Sequence, residues 1–187
     1  MRFESPTAEP GDNFGQALAI NGAELAVGSK FSTSVFRLDD RGTPLDPTDD
    51  SWSLSSHLLS QDPFMADGFG IAVALDDDHL AVGAPFHGGY LVGNGAVRVF
   101  RRIRPAHAIP ELPTEWNLET TLVPLVVAGP LAGFASTVAL LGDRLAVGAV
   151  LEQNPTTGAI GGLVHVYKHA VEEVRSGAAK HSWTEEW

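Results

Sequence analysis

The sequence predicts an all-β fold, a partial β-propeller of about three four-stranded antiparallel blades. Three observations carry this. The block Leu-Ala-Val-Gly occurs three times, at Leu25–Gly28, Leu80–Gly83 and Leu145–Gly148. A Phe followed by a small residue precedes each block (Phe14-Gly15, Phe69-Gly70, Phe134-Ala135). The Phe-to-Leu distance is 11 residues every time, although successive blocks lie 55 and 65 residues apart. Finally, 20 Gly and 12 Pro with no sustained helical periodicity favour many short elements over a few long helices. A fixed internal spacing inside a variable outer period marks a recurring hairpin with variable loops.

The elements follow in order. Ala17–Ile20, the turn Asn21-Gly22 and Leu25–Val27 read as a hairpin, because Asn-Gly accepts the positive φ that tight hairpin turns need. The second unit reads Ile71–Leu75, Asp76-Asp77-Asp78, Leu80–Val82; the third reads Thr137–Leu141, Gly142-Asp143, Leu145–Val147. Runs this short and apolar suit strands buried on both faces. A third run follows in each unit, at Ser34–Leu38, Ala96–Phe100 and Leu163–Tyr167; its alternation predicts one wet face. A fourth run opens on a Trp, from Trp52 to Leu59 and from Trp116 to Leu122, and Ser182–Trp187 reads as its third start, cut off by the chain end. Val171–Lys180 suggests a short helix within a loop, weakened by Gly177. The blade units are approximately 12–62, 67–123 and 132–187, with an outer-strand remnant at 1–6.

These residues resemble the FG-GAP repeat of integrin-alpha-like β-propellers and their bacterial relatives. The second unit matches most fully: Phe69-Gly70, then Leu80-Ala81-Val82-Gly83-Ala84-Pro85, then Gly95-Ala96-Val97-Arg98-Val99-Phe100. The first keeps Phe14-Gly15 but has Gly28-Ser29-Lys30; the third has Phe134-Ala135 and Gly148-Ala149-Val150. The motif has a physical reading. Innermost propeller strands converge, so Gly and Ala let backbones approach while Phe fills the wedge between blades. The resemblance implies a non-catalytic interaction or adhesion module that binds a protein or cell-surface ligand through propeller loops. It also implies a place in a larger extracellular or envelope protein of a bacterial cell. Three blades do not close a ring, which takes roughly 4–8. The missing neighbours are further blades of the same protein, as the resemblance favours, or a second copy giving six blades; an open arc is the third reading. A well-folded monomer at micromolar concentration would remove the second copy.

Composition excludes several classes. The net charge of −11 and pI near 4.9 argue against nucleic-acid binding. The absence of Cys removes disulfides, thiolate metal sites and a Cys nucleophile. Leu122–Leu141 carries no charge over 20 residues, yet Pro124, Gly129, Pro130 and Gly133 break it, so no membrane span is expected. Residues Met1–Pro6 carry no apolar signal-peptide core, so either the chain is cytosolic or its start is not that of a natural precursor.

The linkers and second-to-third-strand loops share one face, which the resemblance makes the partner-binding one. Its candidate ligand contacts are Phe86, His87, Tyr90, Asn94 and Asn154, with Phe86 equally suited to pack beneath its own loop. The hairpin turns share the other face, where the family often places calcium. Asp76, Asp77 and Asp78 are the calcium candidates, but calcium takes 6–8 oxygens and these turns are short, so no cofactor is expected. His165 and His169 lie roughly 13 Å apart on a strand, too far to share an ion, so no metal is assigned to them. His107 and His181 fall in connections and read as solvated. No nucleophile elbow, phosphate loop or His-Glu-x-x-His occurs, so no enzyme is expected. Two alternatives are a carbohydrate-binding or glycan-processing propeller with a site at the channel mouth, and a structural spacer. Trp52, Trp116, Trp183 and Trp187 argue against the former because they fall on outermost strands.

Overall fold

A computed structural model describes residues 2–7, 9–43, 46–61, 67–88, 94–103, 115–124, 132–173 and 179–186. Twelve strands form three antiparallel four-stranded sheets in chain order, and no helix occurs among the described residues. Blade 1 contains β1 (Ala17–Asn21), β2 (Glu24–Gly28), β3 (Ser32–Asp39) and β4 (Ser51–Leu59). Blade 2 contains β5 (Ala72–Leu75), β6 (His79–Ala84), β7 (Ala96–Ile103) and β8 (Glu115–Leu122). Blade 3 contains β9 (Phe134–Leu141), β10 (Arg144–Ala149), β11 (Leu163–Glu173) and β12 (Ala179–Glu185).

The eleven-residue spacing has a backbone cause. Gly15 N–H donates to the Gly28 carbonyl at 3.0 Å, and Gly70 N–H donates to the Gly83 carbonyl at 3.0 Å. Each Phe-Gly pair is thus tied to the far end of its own hairpin, so a residue inserted between them would break the register. A second tie pins the residue two before each Phe: Lys30 N–H donates to Asp12 O, Phe86 N–H to Asp67 O and Leu151 N–H to Ala132 O, at 2.8, 2.8 and 3.0 Å.

Each blade has a bulky face and a small-residue face, because side chains alternate along strands. The bulky face of blade 2 (Phe69, Val73, Leu75, Leu80, Val82, Phe100) packs on Ala17, Ala19, Ala26 and Val35 of blade 1. The bulky face of blade 3 (Phe134, Leu145, Val147, Tyr167) packs on Ala74, Ala81, Val97 and Val99 of blade 2. Phe69 and Phe134 are fully buried wedges between blades. Phe14 holds the matching place in blade 1, half-buried, and packs edge-on to Phe36 at 6.3 Å between ring centroids.

The glycines let adjacent blades touch backbone to backbone. A methyl group on Gly28 would overlap the carbonyl oxygen of Gly70, and one on Gly83 would overlap that of Ala135. Gly70 itself has φ +97°, a region that L side chains rarely adopt. Ala135 takes the same role at φ 70° without the glycine. Gly148 stands where a fourth blade would meet this seam, and a methyl there would overlap the Thr137 hydroxyl, with the Thr137 carbonyl oxygen at ordinary contact distance.

The end blades keep one face uncovered. Leu18 and Ile20 on blade 1 are 63% and 67% exposed, and Val164 on blade 3 is 69% exposed. The expectation of innermost strands buried on both faces therefore holds for β5 and β6 but not for β1 and β9. The expected wet face of the third strands holds in blade 3, where Val164 is exposed, and is corrected for blades 1 and 2. Ser32–Phe36 and Ala96–Phe100 are buried throughout, since both faces of each strand's first half carry core. At the N-terminus, residues 2–5 form no strand; Phe3 instead packs on Phe36 and Trp52 at 4.9 and 5.7 Å.

The third blade's outer strand is a full one. β11 runs to Glu173 and β12 begins at Ala179, with His169 opposite Trp183 and Val171 opposite His181. The expected short helix is thus replaced by strand at Val171–Glu173 and Ala179–Lys180, residues 174–178 lying outside the description. Cross-strand pairing decides the local structure here where propensity is weak. Gly83→Ala should lower stability by about 1–3 kcal/mol through overpacking at a backbone seam. Gly148→Ala should cost clearly less, because the Thr137 side chain can turn away; chemical denaturation of the two variants checks the contrast.

Candidate functional site

The seams between blades carry the buried polar chemistry, at two equivalent positions each. The inner position of blade 2 is Arg98, opposite Val82; in blade 3 it is His165, opposite Val147. Arg98 Nη1 lies 3.2 Å from Asp67 Oδ2 and donates to Ser60 Oγ at 3.2 Å, with its guanidinium 5.2 Å above the Phe69 ring. Asp67 also accepts the Phe69 N–H at 3.0 Å, so one carboxylate fixes both the cation and the wedge. In blade 3 the residue equivalent to Asp67 is Ala132, and the charge comes from elsewhere. His165 is held between Glu152 (Nε2···Oε2 2.6 Å) and Glu185 (Nδ1···Oε1 2.6 Å).

The outer position shows a sharper contrast. Between blades 1 and 2, Glu24 is bonded bidentately by Arg102, whose guanidinium lies 4.7 Å from the Trp116 ring centroid. Between blades 2 and 3 the residue equivalent to Glu24 is His79, and that equivalent to Arg102 is His169. Two imidazoles therefore stand where an ion pair stood. Glu119 on β8 faces both: His79 Nε2 lies 3.5 Å from Oε2, and His169 Nε2 lies 3.7 Å from Oε1. His181 on β12 joins them, with Nδ1 3.2 Å from His169 Nε2 and 3.5 Å from Glu119 Oε1. Trp183 Nε1 donates to Glu119 Oε2 at 3.0 Å and Arg101 Nη1 donates to His181 Nε2 at 2.6 Å. The side chains of His79, Glu119 and His169 are only 10%, 10% and 9% exposed.

The two seams tune their histidines oppositely. Burial pulls His165 down, but hydrogen bonds and charge from both Glu152 and Glu185 outweigh it, and its pKa is raised. Burial lowers His79 and His169; Glu119 opposes this, but it serves both rings, and neighbouring imidazole and Arg101 charge works against protonation. Two carboxylates on one imidazole win over burial, whereas one carboxylate shared among several does not.

The sequence expectations map onto this unevenly. His181 is a half-buried member of β12 and not a solvated loop residue; His107 lies outside the described residues. His165 and His169 do lie on one strand, β11, and each finds its partners on other strands. The strand spacing therefore ruled out a shared ion for that pair without bearing on partners supplied by blade 2. Among the described hairpin-turn residues, Asn21 Nδ2 donates to Asp77 Oδ1 at 2.9 Å, while Asp76 accepts the N–H groups of Gly142 and Asp77. The calcium candidates Asp76 and Asp77 thus take part in tying the three turns together.

On the opposite face, Phe86 is half-buried, its ring over Gly68. His87 is half-buried and its N–H donates to Ala84 O at 3.0 Å. Asn94 is half-buried with its Oδ1 lacking a hydrogen-bond partner among the described residues. Asn154 Oδ1 accepts the N–H groups of Thr156 and Thr157 at 2.9 and 3.0 Å, shaping its own turn. Tyr90 lies outside the described residues. Trp116 and Trp183 are buried in the seams and Trp52 is half-buried under Phe3; Trp187 lies outside the description.

Twelve strands in three wedge-packed antiparallel sheets define a partial β-propeller. Residues 52–100, from β4 through the first half of β7, match the family model of the FG-GAP repeat, so the chain carries that repeat. No curated protein matches the chain. No helix among the described residues is long and apolar enough to cross a membrane.

A pH dependence follows from His165. A raised folded pKa contributes stability that is complete below the unfolded value of about 6.5 and is lost as pH rises through the folded value. Melting curves of wild type and His165→Gln should therefore lie furthest apart below the unfolded value and converge as pH rises through the folded one. A gap that widens with pH would contradict the assignment.

Proposed function

We propose that the chain is a non-catalytic interaction module, binding a protein or cell-surface ligand through the loops of one propeller face. In this reading it works within a larger extracellular or envelope protein and contributes to adhesion. The observation that supports it most is the loop joining β10 to β11. Val150, Leu151 and Ile160 there are 54%, 53% and 71% exposed. The loop is nevertheless ordered by its own bonds: Leu151 N–H to Ala132 O at 3.0 Å, Asn154 N–H to Ala159 O at 2.9 Å and Gly162 N–H to Glu152 O at 3.1 Å. Apolar side chains presented by a pre-ordered loop lose little conformational freedom on binding. The uncovered faces at Leu18, Ile20 and Val164 support further blades, of the same protein or of a second copy, as lateral neighbours.

Binding of the purified chain to panels of extracellular proteins and glycans tests this reading. A protein ligand is expected, with Leu151→Asp/Ile160→Asp weakening it by about 100-fold while leaving the melting temperature nearly unchanged. Glycan binding alone would favour the carbohydrate reading, and binding to neither would favour a spacer.

A further inference from the structure

We propose that His79, His169 and Glu119 form a binding site for a divalent transition-metal ion of the zinc class, which staples blade 2 to blade 3. The repeat supplies an internal comparison. At the seam between blades 1 and 2 the equivalent positions hold Glu24 and Arg102, opposite charges that satisfy each other. At the seam between blades 2 and 3 the same positions hold two imidazoles, with Glu119 added from β8. The imidazoles pack on each other at 4.7 Å and on Trp183 at 5.4 and 4.9 Å between ring centroids, but ring packing leaves their nitrogens and the added carboxylate to be satisfied. His79 Nε2 and Glu119 Oε1 are buried and take part in no hydrogen bond.

The geometry fits a metal. One ligand atom from each of the three residues lies within 4.8 Å of the other two. His79 Nε2 lies 3.5 Å from Glu119 Oε2 and His169 Nε2 lies 3.7 Å from Oε1, so the carboxylate turns one oxygen to each imidazole. Tetrahedral ligands at zinc-type bond lengths stand about 3.3 Å apart, so rotation of the carboxylate and the two rings brings a single oxygen to both imidazoles. Two imidazoles and one carboxylate suit zinc and its neighbours, while calcium and magnesium demand more oxygen. Both histidines are buried in a setting that favours the neutral imidazole, the form that binds metals.

The surroundings serve as supports. Arg101 donates to His181 Nε2, which leaves the proton of a neutral His181 on Nδ1, 3.2 Å from His169 Nε2 and 3.5 Å from Glu119 Oε1; an ion on His169 Nε2 takes the place of that first contact and leaves the proton to Glu119. Trp183 Nε1 fixes the other oxygen of Glu119. His181 is therefore an orienting residue rather than a ligand. The fourth position opens on a cleft of about 430 Å³ edged by Asp78, Arg101, Arg102 and Val171, from which a water completes the shell. Arg101 Nε is 4.0 Å from Glu119 Oε1, and its side chain is 36% exposed, so solvent screens its charge from the entering cation while Nη1 holds His181.

The test uses the tag-free chain, stripped with chelator and titrated with zinc, cobalt(II) and calcium. One zinc per chain is expected, with a rise in melting temperature, the intense visible bands of four-coordinate cobalt and no response to calcium. His79→Gln and His169→Gln should each weaken zinc binding about 100-fold or more, and Glu119→Gln should weaken it too, while His57→Gln in blade 1 leaves it unchanged. If the histidine variants misfold, imidazole nitrogen shifts of the wild type decide, with His79 and His169 alone among the histidines showing direct ligation. Absence of stoichiometric zinc, ligation at other histidines, or unchanged affinity in folded His79→Gln and His169→Gln variants would overturn the proposal.

Discussion

The fold depends on one close approach. The carbonyl of the residue after each wedge Phe sits against the last glycine of the preceding blade's Leu-Ala-Val-Gly block, at Gly70 on Gly28 and Ala135 on Gly83. No side chain fits there, so the two backbones set the distance between blades. That distance in turn seats Phe69 against Ala26 and Val35 and places Phe134 in the cluster with Ala81 and Val99. The register bond from Gly70 N–H to Gly83 O fixes the same dipeptide within its own blade. One Phe-Gly dipeptide thus joins two sheets at once.

With spacing set by glycine, the seams become equivalent frames that accept different polar chemistry. Arg98 with Asp67 fills one inner slot and His165 with Glu152 and Glu185 fills the other. Breaking a buried pair such as Arg98–Asp67 costs about 3–5 kcal/mol, because the surviving charge is stranded out of water. The outer slots diverge further, from Glu24 and Arg102 to His79, His169 and Glu119. Such exchanges leave the blade geometry intact, which is how a repeat of nearly constant backbone gains individual sites.

The sequence made the framework readable and left most of the polar chemistry hidden, for physical reasons. Phe14 and Phe69 announce themselves because the bonds Gly15 N–H to Gly28 O and Gly70 N–H to Gly83 O enforce their spacing, and Phe134 keeps the same eleven-residue interval. The far end of β11 and the start of β12 did not, since they pair across polar residues such as His169 and His181 whose strand tendency is weak alone. The histidine site lay beyond reach because His79, Glu119 and His169 come from β6, β8 and β11, separated by 40 and 50 residues of chain. Spacing along one strand speaks only of ligands on that strand. Comparing the residue before each Leu-Ala-Val-Gly block (Glu24, His79 and Arg144) would have marked His79 as the odd member facing a neighbouring blade.

Hydrogen exchange of the backbone amides tests the seam most directly. Blade 2 alone has a blade on each side, so Leu80–Ala84 and Val97–Phe100 should exchange at least about tenfold more slowly than the matching strands of blades 1 and 3. Equal protection in the second strands of all three blades of the monomeric chain would mean that each sheet is stable by itself, contradicting a structure built on contact between them.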